Sequence, residues 1–134
     1  MSGYESVSEI DIAASPDEVF AALTDSAKFG QAMFGTDVDT TWEPGSPILY
    51  SGEFDGTSFE DHGEVVEVSP PSVLRLTHRS GDSPEHELRF EVAPSSGGSH
   101  VILKQDNNAD ENAAAHSQKN WDTMLGLLKK VVEG

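Results

Sequence analysis

Cysteine is absent from this chain of 134 residues. That excludes disulfides, a thiol nucleophile and thiolate zinc sites. Basic residues are scarce, 8 Lys and Arg against 24 Asp and Glu, for a formal net charge of −16 at pH 7. Nucleic acid and anionic membrane surfaces repel such a chain, so neither is expected as a partner. Long apolar runs are also missing: none approaches the roughly 18 residues of a membrane span. Met1 to Ile12 has neither the basic nor the apolar region of a signal peptide, so a cytoplasmic protein is expected. The acidity reads as a solvated, highly soluble surface whose self-repulsion salt would screen; a dedicated cationic partner is the alternative. The length suits one domain, 1–134, large enough to bury a core without a covalent staple.

What is present is a long helical pattern at the end of a chain that otherwise reads as strands. Trp121, Leu125, Leu128 and Val132 recur at helical spacing, and Met124, Leu127 and Val131 widen their face. Upstream, Asn112 to Asn120 carries no large apolar group. A helix greasy at one end and small and polar at the other leaves space beneath its first turns, and ligands occupy such space. Asn108 with Glu111 reads as its capping pair.

Tyr4 to Ala13 alternates as a first strand. Ser15-Pro16-Asp17-Glu18 then forms a capping box with Pro at the first helical position, and Ser26 to Phe34 reads as a second short helix ended by Gly35. Six further strands follow between turn signals, over Asp37 to Glu43, Ile48 to Phe54, Ser58 to Val68, Val73 to Arg79, Glu85 to Val92 and His100 to Asn107. Short loops make these an antiparallel meander. The expected class is α+β: a curved antiparallel sheet of six or seven strands gripping the long C-terminal helix.

This order resembles the helix-grip fold of the START and birch-pollen-allergen superfamily, also called SRPBCC. Ile12 to Asp25, with Ser15-Pro16, Val19-Phe20 and Leu23-Thr24-Asp25, resembles its opening pattern. Gly63 to Pro71 followed by Leu74 and Thr77 resembles its middle strand pair, and Trp121, Met124, Leu125, Leu127 and Leu128 resemble its closing helix. Together these are typical of the branch homologous to the C-terminal domain of the heat-shock-protein-90 ATPase activator. The resemblance implies a hydrophobic cavity between sheet and helix, in a group of lipid and small-ligand binders and aromatase/cyclases. This chain departs from it where those relatives carry Trp after the Thr of the middle strand: here stands His78.

Strand parity extends the expectation. Leu74, Leu76 and His78 share a face, as do His86, Leu88, Phe90 and Val92, and as do Val101, Leu103, Gln105 and Asn107. With tight hairpins Leu76 lies opposite Leu88 and His78 opposite His86. Asn107, and Glu64 if Gly63 is not a bulge, would extend a polar row at one end of an apolar floor, beneath Ser117 and Gln118. Trp42, Tyr50, Phe54 and Trp121 would complete the lining, and Gly52 would leave room on the sheet. This row either orients a ligand's polar group or stands wetted at the open end of the sheet.

His62, His78, His86 and Glu64 match no zinc spacing, and no G-x-S-x-G elbow exists, so no metal, cofactor or nucleophile is expected. Asp61-His62 and Glu85-His86-Glu87 are neighbours along strands and point to opposite faces. Three functions remain. The first is non-enzymatic binding of a small, largely hydrophobic ligand. The second is a chaperone-activator-like protein-interaction module. The third is a cyclase- or hydrolase-like enzyme using His78 or His86. A monomer and a homodimer both fit.

Overall fold

In the computed structural model the described residues are 4–81 and 84–134, with Phe54 described for its backbone alone. The elements follow as β1 (Tyr4–Ile12), α1 (Pro16–Leu23), α2 (Ser26–Ala32), β2 (Asp37–Asp39), β3 (Pro47–Phe54), β4 (Thr57–Ser69), β5 (Val73–His78), β6 (His86–Ser95), β7 (Gly98–Asn108) and α3 (Glu111–Glu133). The strands form one antiparallel sheet in the order β1-β7-β6-β5-β4-β3-β2. The meander runs from β2 to β7, and β1 returns to the free side of β7. This is the expected α+β helix-grip architecture.

Each helix starts where its cap stands. Ser15 Oγ accepts from the Glu18 amide at 3.2 Å, the first half of the expected box, and donates to the Glu18 carboxylate at 3.2 Å. Asp25 caps α2 by accepting from Ala27 and Lys28. The last helix departs from expectation: Asp110, not Asn108, is its cap, accepting from the Ala113 amide at 2.8 Å. Asn108 is buried and has another task.

The inner face of the sheet carries Ile12, Ile48, Tyr50, Val65, Leu74, Leu76, Leu88, Phe90, Val101 and Leu103, each no more than 1% exposed. Onto it pack Val19, Phe20 and Leu23 of α1, Phe29 of α2, and Trp121, Met124, Leu125 and Leu128 of α3. Each such large side chain contributes roughly 1.5–3 kcal/mol by leaving water. Lys129 Nζ donates to the Asp11 carbonyl, and the Ala13 amide donates to Glu133, so the end of α3 is tied to the end of β1.

The outer face collects much of the chain's scarce cationic charge. Arg75 bonds Glu87 and Glu67, Arg89 bonds Glu91, and Lys104 also reaches Glu91. The hydrogen bond from Arg89, with the Lys104 charge behind it, holds the Glu91 carboxyl below its ordinary value. At the far edge His100 donates from both ring nitrogens, to Asp11 at 2.8 Å and Glu9 at 2.7 Å. These two bonds, Asp11's the larger, raise its pKa above the ordinary histidine value. The resulting stabilisation is fully present below about pH 6.5, the unfolded value, and is lost as pH rises through the raised folded value. His100→Gln should therefore flatten the unfolding midpoint across the alkaline side of about pH 6.5, by a degree or so given the exposure of the pair. An unchanged slope in a thermal-denaturation series would refute this assignment.

Candidate functional site

The β5–β6 register is as expected, with Leu76 opposite Leu88 and His78 opposite His86, and Gln105 continues the Leu88 row on β7. The polar groups in this region are engaged within the protein. Trp121 Nε1 donates to Gln105 Oε1 at 2.6 Å, and Gln105 Nε2 donates to Asn108 Oδ1 at 2.9 Å and to Ser117 Oγ at 3.2 Å. Ser117 donates to Asn108 Oδ1, whose amide nitrogen donates to the Tyr4 and Gln105 carbonyls. This closed network pins the polar half of α3 to β7. Leu76, Leu88, Phe90 and Leu103 form the packed floor of the core beneath it.

Three expected positions shift. Asn107 takes a left-handed backbone, φ 56°, which breaks the strand alternation. Its side chain donates outward to the Glu85 carbonyl, and Asn108 takes the inward place. Gln118 is exposed, and Ser8 Oγ donates to its backbone carbonyl. His86 Nδ1 is hydrogen-bonded to the Asp106 carbonyl at 2.9 Å.

His78 has a different partner from the one its row suggested. Its Nε2 lies 3.0 Å from Asp61 Oδ2, and Asp61 Oδ1 accepts from Ser80 Oγ at 3.0 Å. Tyr50 stands opposite Asp61 on β3 and packs its ring edge-on to the imidazole, 4.9 Å between centroids. The Tyr50 hydroxyl donates to the Thr77 carbonyl at 3.1 Å. Burial, and then the Asp61 charge, push this phenol well above its ordinary pKa, so it stays a donor. With the Asp61 carboxylate fixing Nε2–H, Nδ1 is left as the accepting nitrogen. It has no hydrogen-bond partner among the described residues. The arrangement can therefore accept a hydrogen bond at Nδ1.

Gly63 makes this arrangement possible. A Cβ there would lie 1.9 Å from the Thr77 carbonyl oxygen and 3.2 Å from the Tyr50 ring. The strand pair is drawn tight: the Glu64 amide is taken by Thr77 Oγ1, and the Thr77 carbonyl by Tyr50. The register shift in β4 falls between Val65 and Glu67, beyond Gly63. Asp61, Gly63 and Val65 therefore share the inner face, and Glu64 is exposed.

Beside Asp61 a groove of about 470 Å³ opens, lined by Phe34, Thr36, Glu53, Phe59, Asp61 and Asn120. It lies where the end of α2, the first half of α3 and the β3–β4 hairpin meet. Phe59 fills the room above Gly52: a Cβ on Gly52 would lie 3.2 Å from the Phe59 ring. Phe34 is 51% exposed. It occupies the position after α2 where glycine is favoured, with φ 62°, and the Gly35 amide reaches back to the Gly30 carbonyl at 3.0 Å. Trp42 stands apart from this groove. Its Nε1 donates to Ser26 Oγ, its ring meets Phe29 edge-on at 5.4 Å, and it borders a second groove with Phe20, Val68, Pro70 and Pro71. The side chain of Phe54, expected in the lining, lies outside the described residues.

None of the expected lining residues described lines this groove: Tyr50 and His78 pack beside Asp61, which does, and Trp121 is buried in the core. Asp61, Phe34, Phe59 and Asn120 were missed. Asp61 and Phe59 follow from Val65 by counting in twos, and Asn120 lies one residue before Trp121. Among the described residues no cluster of His, Asp and Glu is placed to hold a metal ion, and no helix is long and apolar enough to cross a membrane.

Residues 13–133 match the sequence profile described as "Activator of Hsp90 ATPase homolog 1-like protein". The chain belongs to this family. Among solved structures it is similar to ChR145 from Cytophaga hutchinsonii, at 33% identity and a TM-score of 0.83 over 99% of this chain and 96% of that one. It shares its fold with MLL2253 from Mesorhizobium loti, at 19% identity and a TM-score of 0.82 over 97% of each chain. The same holds for the Aha1 dimer from Colwellia psychrerythraea, at 22% identity and a TM-score of 0.78 over 97% of this chain and 96% of that one. No curated protein matches.

Proposed function

We propose that this family member binds a small, largely apolar ligand without transforming it, in the groove between the end of α2, the first half of α3 and the β3–β4 hairpin. The observation that carries this reading is the pairing of an aromatic wall with a fixed polar base: exposed Phe34 and half-buried Phe59 beside Asp61, which His78 and Ser80 hold. Apolar pockets with a few placed polar groups are the usual form of a small-ligand site.

Phe34 supports the reading independently of the groove's size. A bulky residue with φ near +60° costs about 1 kcal/mol relative to glycine, and here it also leaves half of a phenyl ring in water. Phe34→Gly is expected to raise the unfolding midpoint by about 3 °C and to weaken ligand binding. A variant that binds as before would remove Phe34 from the site. Native mass spectrometry of the protein from its own host tests the function itself: a co-purifying apolar small molecule is expected, and a ligand-free chain contradicts the proposal. The same spectra read whether the chain is a monomer or a homodimer.

The family description favours a second reading, a chaperone-activator-like interaction module. Stimulation of the host's heat-shock-protein-90 ATPase by the ligand-free protein would select it.

A further inference from the structure

We infer that the ligand of this groove carries a positively charged nitrogen, an alkyl or arylalkyl ammonium, next to its apolar body. This rests on the binding function proposed above and names the class of molecule bound.

The first ground is the make-up of the wall. It holds two carboxylates, Glu53 and Asp61, two phenyl rings, Phe34 and Phe59, one hydroxyl and one amide, and no Lys or Arg. Carboxylates accept and do not donate, and phenyl faces attract cations. An anionic ligand would be repelled, and a neutral one could gain a hydrogen bond but no charge pairing.

The second ground is the state of Asp61. Its side chain is 15% exposed, and its hydrogen-bond partners among the described residues are the His78 imidazole and the Ser80 hydroxyl, not a Lys or Arg. A carboxylate withdrawn from water ordinarily has a fixed cation beside it. Elsewhere this chain supplies one: Arg75 and Arg89 with Lys104 serve Glu67, Glu87 and Glu91 on the outer face, and Lys129 serves Glu133. Of the 8 basic residues that face 24 acidic ones, three stand on the outer face and none lines the groove. His78 and Ser80 each use one lone pair of Asp61, which fixes the carboxylate plane and leaves acceptor capacity free for an incoming N–H.

The test is a calorimetric titration with three matched probes, naphthylethylamine, naphthylethanol and naphthylacetate, at low salt. The amine is expected to bind at least about tenfold tighter than the alcohol, and the acetate more weakly than either. In Glu53→Gln/Asp61→Asn the amine should lose its advantage. In Glu5→Gln/Glu43→Gln, which removes the same net charge from exposed positions elsewhere, it should keep it. Glu53 is exposed, so Glu53→Gln alone preserves the test if Asp61→Asn unfolds the chain. Equal binding of amine and alcohol, or an advantage that survives Glu53→Gln and the double variant alike, overturns the inference while the binding function stands. Failure of all three probes to bind overturns both.

Discussion

Gly63→Ala is expected to destabilise the protein by about 3 kcal/mol or more, measured by denaturant unfolding. The added Cβ would sit 1.9 Å from a backbone oxygen, Thr77 O, and backbone cannot swing aside as a side-chain tip can. Relief requires β4 to move off β5. That movement breaks the Tyr50–Thr77 and Glu64–Thr77 hydrogen bonds and takes Asp61 out of reach of His78. Gly126→Ala is the control. No atom outside the helix's own backbone lies within 4 Å of a Cβ at that position in α3, so the same change should add up to about 1 kcal/mol through helix propensity. Equal effects at the two glycines would mean that the β4–β5 approach does not matter.

Gln105→Met should cost about 2–4 kcal/mol although it preserves length and volume. It strips Trp121 Nε1 of its acceptor and removes a donor from both Asn108 and Ser117, all around a buried or half-buried site. Trp121→Phe removes the orphaned donor, so the pair of substitutions should cost at least 1 kcal/mol less than the sum of the two alone, by the reasoning of a double-mutant cycle. Strict additivity would show that the short Trp121–Gln105 bond carries no energy. The network also serves the groove, because Asn120, on its wall, sits between Ser117 and Trp121 on the same helix.

The fold was legible because its signals are local. The Ser15 box, the turn residues and the period of Trp121 to Val132 each belong to one segment, and the tight β5–β6 hairpin placed Leu76 against Leu88 and His78 against His86 without further information. The site was less legible because it depends on departures from regular backbone. Asn107 turns left-handed and hands the inward place to Asn108, and strand parity contains no sign of it. The β4 shift lies after Val65, so the acidic partner of His78 is Asp61 rather than Glu64, and the two are 17 residues apart. The polar residues of α3 suggested an open cavity. In the structure Ser117 bonds Gln105 and Asn108, Gln118 faces solvent, and the open space lies one turn along, at Asn120. Phe34 was readable as the end of a helix. Its exposure came from the meeting of α2 with the β3–β4 hairpin, a contact no single segment encodes.

Amide shift mapping with the uncharged probe, naphthylethanol, tests the central claim most directly. The account predicts saturable changes concentrated at Phe34, Thr36, Glu53, Phe59, Asp61, His78 and Asn120, with little change at Trp42 and on the outer strand face around Arg75 and Arg89. Saturable changes centred on Trp42, Phe20 and Val68 at the second groove, or no saturable changes at all, would contradict it.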